Sequence, residues 1–278
     1  MENKSNKTLQ ITIWLLIAIL YIPTFIWMVG MFNETDTNYS HGFLIPLVIA
    51  YIIWLKKKVL SQIPASTSKL GLPILIIGLL IHLAALRLRI EFISSLSLLI
   101  TASGAILYLY GTACLKELQF PLFLYLFMSP LPTVFTVYIT FNLKMLAAQI
   151  ATTIMKIFGM PLIREGSTII TRHSTLVVDD QCSGIRSLIS LMALGSVYAY
   201  LSPLNLKKRI IMFLLTIPIA IIANVARIMV MIVAAYIYGG KIIDNKIFHN
   251  GTGLLVFIVA IVLLFGVQRM LGNDSTKQ

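Results

Sequence analysis

The chain has 278 residues, of which 58 % are hydrophobic and only 12 % charged. Ordinary soluble domains carry roughly 25 % charged residues, so a large soluble domain is excluded and a polytopic membrane protein is expected. The net charge of +12 has no polar basic domain to carry it, so no nucleic-acid partner is expected. Loop charges beside membrane helices explain it better.

In chain order, Lys4 and Lys7 precede an apolar run from Leu9 to Met31. The run is too long for a signal-peptide core and lacks a small-x-small cleavage site, so it reads as a retained first span. A polar loop, 32–41, holds Glu34 and Asp36. Gly42 to Leu55 is the second expected span, and it stops at Lys56-Lys57-Lys58. Spans three and four are Leu70 to Leu86 and Phe92 to Tyr110, joined by a charged turn at Arg87–Glu91. A loop with Lys116 and Glu117 follows, and a short fifth span counts from Cys114 to the Pro130-Leu131-Pro132 break. Thr133 to Met160 reads as a helix carrying Lys144 and Lys156, either spanning or lying in the interface. Residues 162–181 change character. Ser167–Thr171 and Leu176–Val178 are short and β-branched, with Arg172-His173-Ser174 between them, which predicts a β-hairpin. Gly184 to Leu201 is span six, and Lys207-Lys208-Arg209 follows. Span seven runs from Ile210 to Tyr238, interrupted by Asn224 and Arg227. A polar loop, 239–250, leads to span eight, Gly251 to Val267.

The expectation is therefore a single all-α polytopic membrane domain over 1–278. It has about eight transmembrane helices and a small extracytoplasmic β-hairpin before the helix that follows Cys182. The basic triplets at 56–58 and 207–209 mark cytoplasmic loops, which puts both termini inside. An even count then requires that Thr133–Met160 does not cross. Cys182 and His249 fall outside, and Cys114 lies on the opposite side from Cys182, which argues against a disulfide.

The polar groups inside apolar surroundings need a reason. Arg227 follows Arg209 by 18 residues, about 27 Å of helix, or nearly one bilayer core. It should sit near the outer interface, with Asn224 three residues earlier on the same face. His249 precedes span eight at the same depth. Cys182 opens span six there, with Asp180 as a candidate N-cap and Arg186 four residues on. A helix N-terminus and a nearby cation favour thiolate, while Asp179 and Asp180 oppose it. A thiolate, a cation and an imidazole at one depth suit nucleophilic acyl transfer. The thiolate attacks a carbonyl, the arginine stabilises the oxyanion and the histidine protonates the leaving amine. No metal or other cofactor is required, and no Cys/His set at zinc spacing occurs. Bland readings stand beside this one: a cysteine that fills space, an arginine that snorkels to headgroups, a histidine in a solvated loop. His82 reads as a hydrogen-bonding group within the bundle.

Cys182-Ser183-Gly184-Ile185-Arg186-Ser187-Leu188, then Asn224-Val225-Ala226-Arg227-Ile228, then His249 with Gly251 and Gly253, resemble the exosortase/archaeosortase family. Tyr39-Ser40-His41-Gly42-Phe43-Leu44-Ile45-Pro46, Pro130-Leu131-Pro132 and Gly159-Met160-Pro161 leading to Glu165-Gly166 extend the likeness over about residues 35–265. The resemblance implies a membrane cysteine protease and transpeptidase of the bacterial inner membrane, with its active site on the periplasmic side. It implies substrates whose C-terminal sorting tail has a short motif such as Pro-Glu-Pro, a transmembrane helix and a basic cluster. It also implies transfer to an acceptor, with links to exopolysaccharide production and a lipid or exopolysaccharide as possible acceptor. Cys182, Arg227 and His249 map onto the family's presumed catalytic residues; Asn224, Ser183, Arg186 and His41 are expected as supports. The rival classes are a non-enzymatic transporter or polysaccharide-export component with Arg227 as a substrate-charge site, and an intramembrane hydrolase or acyltransferase using the same cysteine.

Overall fold

The computed structural model describes residues 2–34, 39–64, 66–172, 174–179, 184–242 and 245–273; the side chains of 2–6, 241, 246, 249, 250 and 273 lie outside that description. The chain is mostly helical and packs as two compact units, Met1–Pro132 and Thr133–Gln278. Among the described residues, five helices are long and apolar enough to cross a membrane, and a bent pair would make six. The chain is therefore a multi-pass membrane protein.

In the first unit, the expected first span is a bent pair, α1 (Glu2–Leu20) and α2 (Ile22–Asn33), which meet at 54°. Pro23 in the first turn of α2 has no N–H to continue the ladder. A 3₁₀ turn, Ser40–Phe43, leads into α3 (Leu44–Leu55), and together these are shorter than a full span. A short α4 (Lys57–Gln62) precedes α5 (Gly71–Leu88). The charged turn after α5 is built on Arg89 in the left-handed region, φ 55°, with Ile90 N–H donating to the Ala85 carbonyl and Arg89 N–H to that of Leu86. Those two bonds satisfy carbonyls at the helix end.

Expected spans four and five are two helical stretches, together α6 (Glu91–Tyr125), joined across a kink at Gly111, where the backbone is not helical (φ 86°, ψ −178°). The expected end of span four at Tyr110 meets that break. The expected loop at Lys116 and Glu117 is instead helical, and Lys56 Nζ donates to both the Glu117 carboxylate (2.8 Å) and its carbonyl (2.7 Å), so the Glu117 charge is paired in place.

The second unit begins with α7 (Thr133–Ile157). The sequence reading required this segment not to cross, yet its 25 residues are long and apolar enough to span. Next comes a three-stranded antiparallel sheet in the order β1 (Ile163–Glu165), β2 (Thr168–Ile170), β3 (Thr175–Val177). The expected hairpin corresponds to β2 and β3. Strand β1 was missed, because Ile-Arg-Glu is three residues long and carries two charges, with no alternation to reveal it. The last three helices are α8 (Ile185–Leu201), α9 (Leu206–Tyr238) and α10 (Lys246–Asn273).

Helix α9 is the centre of this unit. One of its faces, Val225, Ile228, Met231 and Ile232, packs with Ala147, Ala148, Ala151 and Met155 of α7 and with Leu162, Ile169, Leu176 and Val178 around the sheet. Another, Ile219, Ala220 and Ala223, packs with Leu191 of α8 and with Val256, Ala260 and Leu264 of α10. Polar residues on α9 near 224–227 are thus held among neighbours on several sides.

Candidate functional site

Arg227 is 5 % exposed, and its Nε donates to Thr252 Oγ1 on α10 at 3.4 Å; Thr252 is itself 4 % exposed. A guanidinium stays charged at any ordinary pH, so its burial requires acceptors or a charge partner. Three residues earlier on α9, Asn224 is 3 % exposed and lies against Gly184. A Cβ on Gly184 would stand 2.6 Å from Asn224 Nδ2 and 2.7 Å from its Cγ, and Gly184 has φ 87°. Both the space and the left-handed backbone therefore call for glycine at 184.

That glycine is the N-cap of α8, which begins at Ile185. The helix starts within one residue of the expected Gly184, but its cap is Gly184 rather than Asp180. The expected i, i+4 pairing of Cys182 with Arg186 lies outside the described residues; the helical ladder of α8 itself does not extend back beyond Gly184. The reason is local: a left-handed residue at 184 cannot continue a right-handed helix. Arg186 stands in the first turn of α8, half-buried. Asp180, Cys182 and Ser183 lie outside the described residues.

His249 also falls differently from the expectation. The polar loop ends earlier, because Asn245 caps α10 by accepting from the N–H of Ile247 (2.9 Å) and Phe248 (3.5 Å). The backbone of His249 is therefore in the first turn of α10, three residues before Thr252. Its side chain lies outside the described residues.

His41 belongs to the first unit. It sits in the 3₁₀ turn before α3, its Nε2 donates to the Phe127 carbonyl (3.2 Å), and its ring is 5.7 Å from that of Tyr39. The Tyr39 hydroxyl in turn accepts from Leu131 N–H (3.0 Å). These contacts tie the turn to the chain just beyond α6.

Four described residues thus meet pairwise along one stretch of α9: Gly184 with Asn224, and Arg227 with Thr252. The chain matches the family model described as transmembrane exosortase over residues 27–266. The chain belongs to the transmembrane exosortase family. Comparison with curated proteins and with solved structures gives no match.

Thr252 escaped the sequence reading. It stands three residues beyond His249 in the sequence, but a lone threonine in an apolar run carries no signal of its own. Among the described residues, no group of three or more His, Cys, Asp or Glu side chains is arranged to hold a metal ion.

Proposed function

We propose that this exosortase-family protein is a membrane-embedded cysteine transpeptidase of the bacterial inner membrane, with Cys182, Arg227 and His249 acting together on its outer side. One observation carries the reading. The buried Arg227 and the adjoining Asn224 contact residues that are close covalent neighbours of the other two candidates. Gly184 is two residues from Cys182, which limits their separation to about 7 Å, and Thr252 is one helical turn from His249.

In the proposed reaction the Cys182 thiolate attacks the carbonyl carbon of a scissile amide, and the electron pair moves onto oxygen. The Arg227 guanidinium stabilises that oxyanion. Protonated His249 gives its proton to the amide nitrogen as the C–N bond breaks, which leaves a thioester on Cys182. An acceptor hydroxyl or amine, or water, then loses its proton to His249, attacks the thioester and expels the thiolate. The substrates are exported proteins with a tail of short motif, membrane helix and basic cluster. The acceptor is a lipid or exopolysaccharide group. Asn224, Ser183 and Arg186 support the site.

The test is Cys182→Ala, followed by blotting a reporter that carries a Pro-Glu-Pro tail. Processing should stop, and hydroxylamine should release product from a trapped wild-type intermediate. Undiminished processing by the variant would sink the nucleophile assignment and leave the transporter class standing.

A further inference from the structure

The sheet that precedes Cys182 ends in an open edge. Thr171 N–H donates to the Ser174 carbonyl (2.8 Å) and Val178 N–H to that of Ser167 (3.0 Å), and Ile169 pairs with Leu176. Antiparallel pairing alternates, so Ser174, Leu176 and Val178 turn their backbone groups toward β2. Thr175 and Val177 therefore turn their N–H and C=O groups outward. Among the described residues, none pairs with those four groups. Leu176 and Val178 bury their side chains in the core, which fixes the register of the strand. Val177 is 57 % exposed and Thr175 is also exposed.

Proteins commonly shield such an edge with charge, proline or a bulge. Strand β1, at the other edge, carries Arg164 and Glu165. Strand β3, Thr-Leu-Val, carries none of these devices. It is anchored at its start, where Ser174 Oγ donates to the Ala235 carbonyl on α9 (3.1 Å). The unshielded edge is thus the one whose strand leads on toward Cys182, five residues after Val177.

We infer that the outer edge of β3 binds an extended polypeptide segment of the substrate as a fourth strand and delivers its scissile amide to Cys182. Two adjacent donor–acceptor pairs at alternate positions match a peptide backbone. A lipid or a sugar has no such repeat. Five residues of chain span at most about 18 Å, so a strand on Thr175 and Val177 lies within a few residues of the nucleophile. Main-chain pairing also tolerates varied side chains, which suits an enzyme that processes many proteins sharing only a short motif. The inference rests on the transpeptidase reading but concerns binding, so the two fail separately.

Val177→Pro removes one outward N–H and leaves the bonds to β2 intact, since proline is tolerated at a strand edge. Its KM for the Pro-Glu-Pro tailed reporter should rise about tenfold, roughly the worth of one charge-free backbone bond left unmade, with kcat little changed. Val177→Ala keeps the N–H and should keep the KM. In the Cys182→Ala background, amide exchange at Thr175 and Val177 should be fast without reporter and slowed with it. An unchanged KM for Val177→Pro overturns the inference, as does fast exchange at both amides in the reporter-bound state. Slow exchange at both without reporter overturns it too, because the edge would already be occupied. Where Val177→Pro fails to fold, N-methylation of successive reporter amides replaces it, and uniform tolerance of the methyl groups is the overturning result. A Cys182→Ala protein that still cleaves refutes the transpeptidase reading and leaves the exchange result to decide the edge.

Discussion

In the unit Met1–Pro132, buried hydroxyls and one imidazole meet each other at 2.6 to 2.9 Å. In the unit Thr133–Gln278, the buried Arg227 guanidinium reaches Thr252 at 3.4 Å, and Asn224 presses on a glycine. The first set consists of groups that are neutral or can become so. A hydroxyl can both donate and accept, so short chains of such groups satisfy one another. The second set centres on a charge that cannot be discharged. Burial of polar groups alone therefore does not mark a reactive site. A fixed charge within an apolar helix is the more costly choice, and insertion scales put an arginine deep in a span at about 2.5–3.5 kcal/mol.

The sharpest way to break this comparison is to remove the charge. Arg227→Met should lower reporter processing by about 10³-fold, the upper end for loss of one oxyanion donor, with a thermal midpoint equal to or above wild type. Arg227→Lys keeps the charge but loses the planar fork, and should lower processing by about 10²-fold. A midpoint that collapses together with activity would make Arg227 a structural group like those of the first unit.

Gly184→Ala tests the same region through geometry. A Cβ must displace Asn224, and the residue must leave φ 87°. A shift of about 1 Å near the chemistry costs on the order of 10²-fold. Asn224→Ala in the same chain clears the space but leaves the backbone strain, so it should restore part of the activity. No recovery would mean that the contact is incidental.

Much of the fold was legible because apolar run length is a strong signal. Helices α5 and α9 follow their runs closely, and the break at Gly111 falls where a span was expected to end. The misses have local causes. Lys116 and Glu117 looked like a loop, but the helix runs through them and Lys56, just beyond α3, pairs with Glu117. The helix after Cys182 looked capped by Asp180, but Gly184 takes the left-handed turn instead. The Tyr21–Ser97–Thr101 and Thr24–Ser94–His82 chains draw on helices far apart in sequence, so no spacing rule could pair them, although His82 was read as a bundle hydrogen-bonding group. Of the candidate site, Arg227 and Asn224 were legible as polar interruptions of an apolar run. Thr252 was not, since a lone threonine in a membrane helix is unremarkable.

His82 gives the converse of the arginine test. Its Nε2 must carry the proton, because it meets the Leu20 carbonyl (3.1 Å), so Nδ1 accepts from Ser94 (2.9 Å) and Ser94 accepts from Thr24 (2.6 Å). The histidine thus satisfies the last carbonyl of α1, at the bend that Pro23 forces. His82→Leu leaves that carbonyl and the Ser94 hydroxyl in need of partners, at ~1–3 kcal/mol for each such group. A loss of about 2–3 kcal/mol in stability is expected, with processing per folded molecule unchanged. Lost activity at full stability would move His82 into the same class as Arg227.

The smallest effect should come from Tyr21→Phe. The ring would keep its stack on His82, 3.7 Å between centroids, and lose only the hydroxyl that meets Ser97 and Thr101 at 2.8 Å. Ser97 also donates to the Ser94 carbonyl (2.6 Å), so its proton stays satisfied when the tyrosine hydroxyl is gone. Side-chain hydrogen bonds between membrane helices average about 0.6 kcal/mol, so two together should cost about 1 kcal/mol. Unfolding of purified protein in mixed micelles, followed by tryptophan fluorescence, would measure it. A cost above about 3 kcal/mol would mean that the hydroxyl network acts as one cooperative unit. The contrast with Arg227 would then lie in how strongly each region resists rearrangement rather than in whether its polar groups carry a fixed charge.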